Sequence, residues 1–194
     1  MTLRIKSFTL DISFFTFAVV SLFVICNLQA RFLYCFVAVV IHELGHMFAM
    51  KFCGIHISAL KISPFDIRII QSGRYKASFS QDLFVAFSGP LANILSFFIF
   101  YYIDIRFSIV SMLLGIFNLL PASSLDGGQI LYLSLYRLIG EKARLAVDIV
   151  TFIISIPVFI IGLMILLRSK YNFSLLFIGL YMFLGVFIRK DKYL

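Results

Sequence analysis

Long apolar runs and short polar interruptions succeed one another along almost the whole chain. Six runs read as helices in a hydrocarbon phase, over about residues 12–28, 32–52, 83–103, 107–120, 145–167 and 173–188. A helix rises about 1.5 Å per residue and the apolar core of a bilayer is about 30 Å thick, so about 20 apolar residues make one crossing. Arg31, Asp104 with Arg106, and Arg168 with Lys170 mark turns between the runs. Two stretches break the rhythm. Residues 55–82 mix β-branched and aromatic positions with Lys61, Arg68, Arg74 and Lys76. Pro64 divides this stretch and Ser72-Gly73 reads as a tight turn, which predicts a β-hairpin or strand-bearing loop between spans two and three. Residues 121–128, Pro121-Ala122-Ser123-Ser124-Leu125-Asp126-Gly127-Gly128, are too broken for spanning helix, and a short helix over 129–139 is expected after them. Irregular backbone at membrane depth is tolerated only where protein buries it or a wet cavity accepts it.

The fold class expected is therefore an all-α polytopic membrane protein. It has six transmembrane helices and one small β-element, in a single membrane-embedded domain over 1–194. Pro157 is expected to kink the fifth span. Composition agrees: 62% hydrophobic residues, 13% charged residues and a mean hydropathy of +1.05 exclude an ordinary soluble domain.

The net charge of +8 does not point to nucleic acid, because no Lys/Arg block with interleaved aromatics occurs. The basic residues lie between the apolar runs instead. With the N-terminus inside, the outer turns hold only Arg31, Arg106, Arg168 and Lys170 of the 17 Lys and Arg. Reversing the topology would invert that balance, so both termini are expected on the cytoplasmic side, facing anionic lipid. The 55–82 and 121–128 stretches then share that side. Arg4 and Lys6 precede the first run as in a signal peptide, but Asn27-Leu28-Gln29-Ala30 lacks a small-x-small cleavage pattern, so an uncleaved span is expected. Cys26, Cys35 and Cys53 have no C-x-x-C spacing and imply no disulfide framework.

Run two carries the chemistry. It contains His42-Glu43-Leu44-Gly45-His46. Residues four apart share a helix face, so the two imidazoles converge as two corners of a tetrahedral zinc site. Glu43 lies beside them, placed to take a proton from water activated there. H-E-x-x-H is short and recurs by chance. Its position decides the reading, since ionisable groups in an apolar helix are costly unless paired or hydrated. A catalytic zinc usually has a third protein ligand. Among the other acidic residues only Asp126 lies in a Gly/Pro-broken segment after a span and on the cytoplasmic side. His56, the one remaining histidine, is the alternative. In Ser88-Gly89-Pro90-Leu91-Ala92-Asn93, Gly89 and Pro90 allow a close helix approach, and Asn93 is an amide that needs a partner within the bundle.

Taken together, His42-Glu43-Leu44-Gly45-His46, Gly89-Pro90-Leu91-Ala92-Asn93, and Asn118-Leu119-Leu120-Pro121 followed by Leu125-Asp126-Gly127-Gly128 resemble the site-2 protease family of intramembrane zinc metalloproteases. The resemblance covers about residues 32–135 and looks most like the branch that includes a sporulation protease processing a pro-sigma factor. It implies that His42, His46 and Asp126 bind one zinc ion and that Glu43 is the catalytic base. Asn93 and Asn118, with Gly89 and Pro90, would support the site near the substrate carbonyl. The implied activity is hydrolysis of a peptide bond in a membrane-inserted or membrane-associated protein, in the cytoplasmic half of a bacterial cytoplasmic membrane. A regulatory membrane protein is a further implied partner. The branch often carries a nucleotide-sensing CBS domain; neither that nor a PDZ insert is expected in this chain. The rival classes are a metal or proton transporter and an inactive binding homologue. The first should show paired intramembrane charges in several spans or an inverted repeat. The second should lack Glu43 or a ligand.

Overall fold

The computed structural model describes residues 2–5, 8–12, 29–55, 57–63, 66–71, 77–169 and 173–188. The expected first span beyond Ile12, the Ser72-Gly73 turn, His56 and the basic tail lie outside the described residues. The chain divides into two compact units, Met1–Phe117 and Asn118–Leu194.

The first unit begins with strands β1 (Thr2–Ile5) and β2 (Phe8–Ile12), continues into helix α1 (Gln29–Phe52), then strands β3 (Ile57–Ser63) and β4 (Asp66–Gln71). Helices α2 (Phe79–Phe100) and α3 (Ile105–Asn118) follow. The strands form one sheet in the order β1-β2-β3-β4, antiparallel at both edges and parallel between β2 and β3. Backbone partners run Leu3 with Leu10 and Ile5 with Phe8, then Leu10 with Leu60 and Ile12 with Ile62, then Leu60 with Ile69 and Ile62 with Ile67. The period-2 pattern of Thr2 to Ile12 is what makes these residues strands.

The β-element is thus larger than the expected hairpin, because residues ahead of the first apolar run supply half of it. Ser63 pairs with Asp66, so the chain reverses between those two residues.

A capping box at Ser78 and Gln81 starts α2, and the Gln81 side chain also donates to the Cys53 carbonyl at 3.4 Å, tying α2 to the end of α1. Asp104 starts α3: its carboxylate accepts from the backbone N–H of Arg106 and Phe107 at 3.0 and 3.2 Å. The Tyr34 hydroxyl and those N–H groups hold the Asp104 carboxyl below the usual carboxylate range.

The second unit holds α4 (Asp126–Ile139), α5 (Lys142–Ser169) and α6 (Ser174–Ile188). Gly140, at φ 61°, makes the turn between α4 and α5. On α5, Ala143, Val147, Thr151, Ser155 and Gly162 form the buried stripe, and the helix assignment runs unbroken through Pro157. At Gly162 a Cβ would meet the backbone of Leu175 and Leu176 at 2.6–2.8 Å, so α5 and α6 approach at backbone contact.

Among the described residues three helices are long and apolar enough to cross a membrane, Leu33–Phe52, Phe79–Phe100 and Lys142–Ser169. Helices α3 and α6 are apolar but shorter, at 14 and 15 residues. The protein is an integral membrane protein built on helices.

Candidate metal centre

On α1 the two histidines of the motif are inside and large apolar side chains lie outside. Ala38, His42, His46 and Ala49 are buried in steps of four and three, while Leu44 and Phe48 are exposed, Phe48 by 72%. That inverts the pattern of a soluble helix and suits one whose outer face meets lipid. His42 and His46 are 5% and 8% exposed. Their Nε2 atoms stand 3.2 Å apart, with the rings edge to face at 82°. Two nitrogens bound to one tetrahedral zinc at about 2.0–2.1 Å are about 3.3 Å apart, so this separation is the bite of a shared ion.

The far side of His46 fixes its tautomer. Its Nδ1 lies 2.7 Å from the Val85 carbonyl on α2, which can only accept, so Nδ1 carries the proton and Nε2 keeps its lone pair. The Ser88 hydroxyl donates to the same carbonyl at 2.6 Å and fixes its direction.

Helix α2 also supplies the space. A Cβ on Gly89 would lie 2.8 Å from His42 Nε2 and 2.6 Å from His46 Cε1, closer still to His46 Nε2. The hydrogen at this glycine leaves open the locus that an ion shared by both imidazoles requires. Gly45 does the same for the helix crossing, where a Cβ would meet the Ser88 carbonyl oxygen at 2.6 Å and the Ala92 methyl at 2.8 Å. Pro90, next to Gly89, is fully buried inside α2. Two imidazoles with one oriented lone pair, and a cradle that a single methyl would fill, fit zinc. Glu43 follows His42 on α1 and is half-buried.

Asn93 is 0% exposed and clasps three helices. Its amide nitrogen donates to the Ala38 carbonyl on α1 at 3.2 Å and to the Ser111 carbonyl on α3 at 3.3 Å. In an α-helix the Ala38 carbonyl also receives the His42 N–H, so Asn93 holds the turn that carries the first imidazole. The Ser96 and Ser111 hydroxyls, 2.6 Å apart, complete the clasp at the Asn93 carbonyl. Both amide protons of Asn93 thus go to backbone carbonyls of neighbouring helices.

The other predicted residues belong to the second unit. Asn118 ends α3 and is half-buried. Asp126 is the first residue of α4, which begins three residues earlier than the 129–139 expected from sequence. A carboxylate in the first turn is favoured by the unsatisfied N–H groups there. Side chains at 127 and 128 would collide with the carbonyls of Leu119, Leu120 and Ala122, which is why this turn is Gly-Gly. The structure thus joins His42, His46, Gly89 and, through Ala38, Asn93 in the first unit. Ser96 and Ser111 went unread in the sequence, where the available signal was small polar residues at helical spacing within apolar spans; Val85 acts through its backbone carbonyl, which no side-chain pattern marks.

The model of the family described as Peptidase family M50 matches residues 31–108 and 105–166. Over 133 residues the chain is 29% identical to a zinc metalloprotease of Methanocaldococcus jannaschii, an alignment taking in 61% of this chain and 38% of that protein's length. A site-2 protease from Methanocaldococcus jannaschii, of solved structure, is similar in fold at a TM-score of 0.70 and 22% identity, covering 96% of this chain and 93% of that chain.

Proposed function

The chain belongs to peptidase family M50, the site-2 protease family, and from that membership we propose that it is a zinc endopeptidase that cuts a membrane-inserted or membrane-associated protein in the cytoplasmic half of the bilayer. The observation that carries this reading is the 3.2 Å separation of the His42 and His46 Nε2 atoms beside the space left by Gly89. His42 and His46 would hold one zinc ion with Asp126 as third protein ligand, a donor set of the kind that leaves a fourth position open. When bound, zinc supplies Lewis acidity, lowering the pKa of water and polarising the scissile carbonyl. Glu43 takes the proton from the attacking water and delivers it to the leaving amine. Asn93 keeps the His42 turn in place, and the Val85 carbonyl holds the His46 ring so that Nε2 faces the ion. Asn118, at the end of α3 ahead of the Asp126 segment, is assigned a supporting role.

The reading places residues 1–194 in one membrane-embedded domain with six spans and both termini in the cytoplasm of a bacterium. Two observations support it beyond charge balance. The family match runs across the boundary between the two units. And β2 and β3 pair side by side, Ile12 with Ile62, so the chain between them crosses the bilayer an even number of times; α1 accounts for one crossing only. The sheet then lies on the cytoplasmic side. Among the described residues β4 is an edge strand, and its outward N–H and C=O groups suit a substrate segment that must be extended before it is cut.

Glu43→Gln tests the mechanism. It is expected to retain zinc, measured by mass spectrometry, and to lose cleavage, so that an uncut substrate accumulates in membrane proteomes relative to wild type. Turnover near wild type in this variant would remove the protease reading as drawn.

A further inference from the structure

Thr151 lies outside every motif discussed so far, midway along α5, and is 0% exposed. Its hydroxyl donates to the Val147 carbonyl one turn back at 2.7 Å, which fixes the proton and aims the lone pairs outward. One of them accepts the backbone N–H of Ser123 at 2.8 Å. Ser123 is itself buried and stands three residues before Asp126.

Further backbone bonds around the loop from Leu119 to Leu125 are local. The Ala122 N–H goes to the Leu120 carbonyl at 2.7 Å, the Leu125 N–H to the Ala122 carbonyl at 2.8 Å, and the Gly128 and Gln129 N–H groups to the Leu125 carbonyl at 3.1 and 3.3 Å. The N–H of Ser123 is served from α5. Ser123 and Thr151 are both buried, so that bond fixes the path of the backbone into the first turn of α4.

We propose that Thr151 is a positioning residue of the metal centre: it anchors the Ser123 backbone and so sets where the Asp126 carboxylate stands. This rests on Asp126 being the third ligand. Thr151 touches neither ion nor substrate. Its effect is on the geometry of the ligand, as with other groups that orient a metal ligand from behind.

Thr151→Val keeps the shape of the side chain and removes the acceptor. Zinc affinity of the purified, detergent-solubilised full chain, measured by chelator competition, should fall about 10- to 100-fold, the range for lost orienting partners of metal ligands. The visible absorption of the Co2+-substituted protein should shift, because the ligand field changes. Hydrogen exchange in the 119–125 segment of the metal-free protein should accelerate. Thr151→Ser should restore all three. Ser155→Ala is the control for loss of a buried hydroxyl, since Ser155 donates within its own helix, to the Phe152 carbonyl at 2.8 Å, and its affinity should equal wild type. Thr151→Cys keeps the volume with a poorer acceptor, should bind zinc with intermediate affinity, and serves where the valine variant does not fold. Asp126→Ala, measured in parallel, separates the two readings. If it binds zinc as wild type does, Asp126 is not a ligand and the role of Thr151 falls with it. If Asp126→Ala loses zinc while Thr151→Val or Thr151→Cys keeps wild-type affinity and Co2+ absorption, the positioning role alone is overturned.

Discussion

Replacing Gly89 by alanine puts a methyl group against both Nε2 atoms of the histidine pair. The added carbon would lie 2.8 Å from His42 Nε2 and 2.6 Å from His46 Cε1. A zinc ion needs about 2.0–2.1 Å to each Nε2. Ion and methyl therefore claim the same space. For the ion to enter, the His46 ring must swing away, which breaks its 2.7 Å bond to the Val85 carbonyl. Loss of such an orienting bond costs about 10- to 100-fold in metal affinity. Overpacking in a close-packed interior adds about 1–3 kcal/mol, or about 5- to 150-fold if it falls on the metal-bound state. Zinc affinity should thus drop by at least about 50-fold. The assay is chelator competition on purified protein, with zinc content by mass spectrometry and folding followed by circular dichroism. Gly115→Ala is the matched control. Its Cβ would crowd the Pro90 carbonyl oxygen at 3.0 Å and the Asn93 Cβ at 3.1 Å, on the α3 side of α2, away from the imidazoles. It should lose stability and keep zinc. If Gly89→Ala bound one zinc at wild-type affinity, the ion would not sit between these two Nε2 atoms and the site would have to be redrawn.

Asp126→Ala should lower zinc content together with cleavage, while His56→Ala should change neither; zinc stripped by the His56 variant alone would reassign the third ligand. Asn93→Ala removes two donors from buried carbonyls, for about 1–3 kcal/mol of destabilisation; if thermal unfolding is unaltered, the three-helix clasp carries no stability. A proline scan over Ile67, Arg68, Ile69 and Ile70 tests substrate pairing at β4. Alternate N–H groups of an edge strand point away from the sheet, so two of the four prolines should impair cleavage while leaving the β3–β4 pairing intact, and alanines should be milder. Normal cleavage across the scan would eliminate strand addition and leave the metal centre untouched.

The sequence determined by itself what local periodicity can carry. The apolar runs that fall on described residues match helices to within a few residues, since a span must be apolar around most of its circumference. The four-residue spacing of His42 and His46 put two imidazoles on one face, because helix geometry admits nothing else. The alternation from Thr2 to Ile12 was equally legible but lay beside a long apolar run and passed for its charged leader. The reversal between Ser63 and Asp66 was not read from the sequence, since Pro64 marks a break in a strand as readily as a turn and only pairing partners decide. The rest was decided in three dimensions. That Asn93 holds the carbonyl of Ala38, 55 positions earlier, that Val85 orients His46, and that Thr151 holds Ser123 are contacts between distant segments. Small polar side chains in apolar helices look alike in sequence. What each one does depends on which backbone group, on which neighbouring helix, comes within 3 Å of it, and that is settled only when the helices pack.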